Sequence, residues 1–135
     1  MTIRLAHMLA AAVLSMTSAV APAFAHHSFA AEFDSAKPVT LVGTVTKVEW
    51  RNPHAFFYVD VKDEQGNVAT WAFELGSPNA LIRAGWSRNA VKIGEEVTVN
   101  GYLAKDGSKM ANARTVTGPD GRSLFAGSSV ADPAK

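Results

Sequence analysis

Between Val39 and Trp50 the chain carries a run rich in β-branched residues whose apolar positions change phase part-way: Val39, Leu41 and Val45 are odd, Val48 and Trp50 even. Side chains alternate faces along a strand, so a phase change requires a bulge or a sharp bend, and Gly43 within the run suits either. A bent strand can serve two sheets at once. That favours closure over a flat sheet, because closure also removes most exposed edges.

The remaining segments agree with this. Arg51-Asn52-Pro53 interrupts the chain, and residues 54–62 read as a second strand with Phe57, Val59 and Val61 on one face and Phe56, Tyr58 and Asp60 on the other. Residues 63–67 form a hairpin loop, and 68–75 a third strand with Ala69, Trp71, Phe73 and Leu75 aligned. Ser77 and Pro78 supply an N-cap and a first helical residue for a short helix over 79–84, with Gly85 as its C-cap. Strands follow over 96–104 and 110–117, separated by a turn at 105–108. The order β-β-β-α-β-β predicts a mainly β fold: a small five-stranded OB-fold-like Greek-key barrel over residues 39–125, with an open sandwich as the rival. Phe57, Val59, Trp71, Phe73, Leu81, Val97 and Val99 are the expected core. Residues 26–38 read as an irregular N-terminal arm with a turn at Asp34-Ser35, and 126–135 as a flexible tail.

Compartment is read from the start of the chain. Arg4, an apolar run from Met8 to Val20 and the Ala-x-Ala pattern Ala23-Phe24-Ala25 describe a signal peptide over residues 1–25, followed directly by His26 and His27. The expected location is the periplasm, with full secretion as the alternative. Cleavage leaves about 110 of the 135 residues, enough for one core, and no further apolar run long enough for membrane insertion. The absence of cysteine excludes disulfides, thiolate ligands and cysteine nucleophiles. Thirteen Lys and Arg stand against twelve Asp and Glu. Loss of Arg4 balances them, which argues against a nucleic-acid partner.

Four blocks also carry a resemblance: His26-His27-Ser28-Phe29, Trp50-x-Asn52-Pro53-His54, Trp71-x-Phe73-Glu74-Leu75 and Gly85-Trp86-Ser87-Arg88. In these the chain resembles an uncharacterised family, a domain of unknown function, of small exported proteobacterial proteins. The resemblance implies export and a small β-barrel. It carries over no catalytic residue.

Three histidines remain after processing, His26, His27 and His54, and they are the candidate metal ligands. A terminal amine beside an imidazole chelates Cu(II), which heads the divalent affinity order and favours nitrogen ligands, so copper is the expected cofactor if there is one. The plainer reading, which carries more weight, makes His26 and His27 polar residues of the arm and His54 a loop-bonding residue. Trp50, His54 and Glu74 are expected at one pole of the barrel and the start of the first strand at the other, roughly 35 Å away. On that layout the 13-residue arm could bring His26 to His54 only when nearly extended. Trp50, Phe56 and Tyr58 form a candidate ligand platform, although Phe29 and Phe33 of the arm are more readily expected to cover them. The carboxylates of Glu32, Asp34, Asp60 and Glu74 show no spacing that singles out a catalytic pair, and no nucleophile arrangement is present. The expectation is a non-enzymatic module that binds a small ligand or an envelope partner. Its alternative is a structural or interaction module without metal.

Overall fold

The computed structural model describes residues 29–127. A single helical turn, α1 (Phe29–Glu32), leads into β1 (Phe33–Glu49), followed by β2 (Phe56–Lys62), β3 (Val68–Glu74), α2 (Pro78–Arg83), β4 (Glu96–Ala104), β5 (Met110–Thr117) and β6 (Ser123–Phe125). The strands lie in the order β3-β2-β1-β4-β5-β6, and a parallel pairing between β3 and β5 closes the first five into a barrel. This is the five-stranded OB-fold expected from the order of elements. Among the described residues no helix is long and apolar enough to cross a membrane.

β1 makes closure possible because it pairs with β2 along its second half and with β4 along its first. The bulge lies at Thr46, between Val45 and Lys47, rather than at Gly43. Gly43 serves close approach instead, since a Cβ there would lie 2.3 Å from the Asp60 carbonyl oxygen. Gly101 plays the same part between β4 and β5, where a Cβ would lie 2.1 Å from the Asn112 carbonyl oxygen. Both glycines let strands approach more closely than a side chain permits.

The barrel is filled by Val45, Phe57, Val59, Phe73, Val97 and Val99, with Leu81 of α2 beneath one end. The rings of Phe57 and Phe73 stack at 5.2 Å. Ser77 caps α2 through its hydroxyl, which accepts from Ala80 N–H, as its position before Pro78 foretells. Trp71 departs from expectation. It is only half-buried, because its stretch of β3 runs toward the β4–β5 turn, where Lys109 lies over the indole. Trp86 is buried instead, with its Nε1–H donating to the Phe125 carbonyl at 2.8 Å.

The folded unit also extends past both expected boundaries. β1 begins at Phe33, not Val39, and residues 34–37 bulge out of its ladder with β4, held by Asp34 accepting from Ala36 N–H. At the other end Ala126 is fully buried. It accepts from Gly76 N–H and donates to the Arg114 carbonyl, each at 2.8 Å. The expected signal peptide, His26 and His27 lie outside the described residues, as does the tail beyond residue 127.

Candidate functional site

One register row runs round the outside of the barrel. Glu49 opposes Phe56, Phe56 opposes Glu74, Glu74 opposes Asn112, Asn112 opposes Tyr102, and Tyr102 opposes Pro38. The row therefore returns to β1 eleven positions before its starting point. Such an offset is the stagger required when a sheet closes on itself with tilted strands. It adds a closeness that the layout read from the sequence lacks: along this row the start of β1 is three strand pairings from Glu74, through Asn112 and Tyr102.

The centre of this row is buried although it lies outside the barrel core. Asn112 is 1 % exposed and Glu74 7 %. α1 and the first residue of β1 lie over this side: Phe29 stacks on Phe33 at 5.7 Å and meets Tyr102 edge-on at 5.6 Å. Lys105 secures the arm, its ammonium donating to the Ala30 carbonyl at 2.6 Å and its backbone N–H to the Glu32 carbonyl at 2.8 Å. The arm's aromatic pair thus covers Tyr102, not the Phe56–Tyr58 face it was expected to shield. Arg51 lies over Phe56 and Lys47 over Tyr58.

His54 reaches this row from the loop before β2. Its Nδ1 donates to Glu74 Oε1 at 2.7 Å, which leaves Nε2 as the open ring nitrogen. Burial pushes the Glu74 carboxyl above its ordinary value, and the nearby Glu32 carboxylate adds to the rise; the His54 imidazole and the Asn112 amide oppose it. The Asn112 amide contacts Glu74, yet its Oδ1 is buried with no hydrogen-bond partner. Sequence reasoning places His54 and Glu74 at one pole but does not pair them. It misses Asn112, whose sole sequence signal is a polar residue between two alanines, Ala111 and Ala113.

The three platform residues separate. Trp50 and Phe56 flank a crevice of about 10 Å³, together with Trp86 and Leu81. That is room for about one water. The Trp50 indole nitrogen is buried without a partner. Tyr58 turns away, its hydroxyl donating to Glu49 Oε2 at 3.2 Å. Among the described residues no group of three or more His, Asp or Glu is disposed to hold a metal ion. Of the expected ligands, His54 alone belongs to the described residues.

Fold and site together define a small closed OB barrel bearing on its outer face a buried carboxylate paired with a half-buried imidazole, beside an N-terminal arm. The chain belongs to DUF6152, a family of unknown function whose profile matches residues 12–113. A search of curated proteins finds no match. Among solved structures, the N-terminal domain of the PriB protein from Thermoanaerobacter tencongensis, determined as a dimer, is similar at 19% identity and a TM-score of 0.41, over 62% of this chain and 96% of that one.

Proposed function

We propose that this protein is an exported, periplasmic, non-enzymatic binding module that holds copper through His54 and the two histidines that signal cleavage leaves at the chain start, His26 and His27. The observation that carries this reading is the commitment of His54 Nδ1 to a buried carboxylate. Histidines that ligate metals commonly donate their second ring nitrogen in this way, which fixes the tautomer and turns the other nitrogen outward. The stagger of the barrel supports it further. Glu32 is close enough to act on Glu74, and His26 is six residues before Glu32, a reach of at most roughly 20 Å. An arm extended along the whole barrel is no longer needed. Copper is favoured because imidazole and amine nitrogens suit Cu(II), and the cysteine-free chain offers no thiolate to select another metal.

The test is Cu(II) titration with electron spin resonance, comparing protein that begins at His26 with protein carrying extra residues ahead of it. The processed form should bind more tightly, and its affinity should fall as pH drops through about 6, where imidazole protonates. His54→Ala should weaken binding and alter the spectrum. Equal, weak binding by the processed and extended forms would replace this reading with the metal-free interaction module.

A further inference from the structure

Where β4 begins and β5 ends, two tight turns face each other across a groove of about 230 Å³. One wall is the turn from Lys92 to Glu95, closed by Glu95 N–H donating to the Lys92 carbonyl and passing through Gly94 at φ 90°. The other is the β5–β6 turn, where Gly121 N–H donates to the Gly118 carbonyl and Gly118 N–H to that of Arg122. The floor is apolar: Val91 and Val116 are buried, and Leu124 is half-buried.

The rim carries two cations and two carboxylates, and they are not equivalent. Glu95 Oε2 accepts from Lys92 N–H at 3.0 Å, and Asp120 Oδ1 accepts from Arg122 N–H at 2.9 Å. Each carboxylate is thereby tied into its own turn. The Lys92 ammonium and the Arg122 guanidinium have no ion-pair partner among the described residues. The groove therefore presents two uncommitted cationic side chains above an apolar floor, between walls already held by their own hydrogen bonds. Walls that need no ordering on binding lower the entropic cost of taking up a ligand.

We infer that this groove is a binding site for a small carboxylate with an apolar body, the carboxylate held between Lys92 and Arg122 and the body resting on Leu124, over a floor closed by Val91 and Val116. The planar fork of Arg122 matches a carboxylate through two parallel N–H donors, and Lys92 adds a point charge. The volume lies below the roughly 300–1,000 Å³ of pockets that hold drug-sized ligands, so the body is no larger than a single ring or a short branched chain. This site is independent of the copper reading, since it shares no residue with the His54–Glu74 row.

The experiment is amide chemical-shift titration of the full mature protein with benzoate, benzamide and inorganic phosphate. Benzoate should move the amides of residues 90–95 and 118–124 and saturate with a Kd at or below about 1 mM. Benzamide, which keeps the body and loses the charge, should bind about tenfold more weakly, the size of one lost charge-assisted hydrogen bond. Phosphate, which has charge but no body, should also be weaker. Arg122→Gln and Lys92→Gln alter exposed side chains and should fold normally, each weakening benzoate about tenfold. His54→Ala should leave benzoate binding unchanged, so failure of the copper reading and failure of this one are separately visible. Benzoate shifts outside the groove, equal binding of benzamide, or full benzoate affinity in Arg122→Gln would each overturn the proposal.

Discussion

The barrel interior and the Glu74–Asn112 centre of the outer row are both shielded from water, yet they are built on opposite terms. Inside, Phe57, Val59, Phe73, Val97 and Val99 present only carbon, and what they need is volume and shape. On the row, burial falls on a carboxylate with a raised pKa and a carboxamide oxygen without a partner, beside a half-buried imidazole turned by that carboxylate. A chain seeking stability alone would place apolar groups there, because an unsatisfied buried polar atom costs roughly 1–3 kcal/mol. The difference teaches that the two buried regions answer to different demands. The first holds the sheet closed. The second is a polar site beside the arm, and it is where function should be sought.

The most severe way to test this contrast is to cut the interior. Phe73→Ala should cost about 3–5 kcal/mol in urea unfolding, the range for removing a buried large aromatic. Trp71→Ala should cost about 1–2 kcal/mol, since that indole is only half-buried. If Trp71→Ala proved the more damaging of the two, the division between interior and periphery would be misdrawn.

A smaller loss should follow where the two regions meet. Gly101→Ala sets a methyl against the backbone of Asn112, and overpacking of this kind costs about 1–3 kcal/mol. Because the clash falls on the row, amide shifts should concentrate at Asn112, Glu74 and His54. Shifts centred on Phe57 and Phe73 instead would show that interior and row are a single packing unit.

The smallest effect, and the sharpest, is a change of slope with pH. The folded-state pKa of Glu74 is raised above the ordinary carboxylate value of 4.5, with burial as the leading cause. Its contribution to stability is therefore fully present below that value and is lost as pH rises through the folded value. Glu74→Gln removes the titration. Relative to wild type, the variant should gain stability across that window, read as urea midpoints compared from about pH 4 to pH 7. A variant that instead loses ground as pH rises would mean that the pairing with His54 outweighs burial.

Much of the interior was legible because it follows from local pattern. Strict alternation over 54–62 and 68–75, the Ser77-Pro78 cap and the turn glycines place strands and helix within a residue or two of their positions. The row was not legible, because its neighbours meet only through closure. Phe56, Glu74, Asn112 and Tyr102 come from four strands, and the offset that aligns them with Pro38 is a property of the ring rather than of any segment. The closeness of the β1 start to Glu74 has the same origin, since strand length alone says nothing of how far the ring is staggered. Trp71 lies at the periphery and Trp86 in the core for a related reason. The burial of Trp86 depends on a hydrogen bond to Phe125, thirty-nine residues away, which no periodicity announces.

The clasp at the end of the chain bears on how the protein is made. Gly76, Trp86 and Arg114 all bond to residues 125–126, and β3 gains its second edge partner only from β5. A polypeptide emerging from the ribosome cannot form these contacts until almost its last described residue has been synthesised. Through most of its elongation the nascent chain holds β1 to β3 as an open meander with two free edges, and such edges invite pairing with other chains. The last closing contacts of the barrel wait until residues 125–126 can reach Gly76, Trp86 and Arg114.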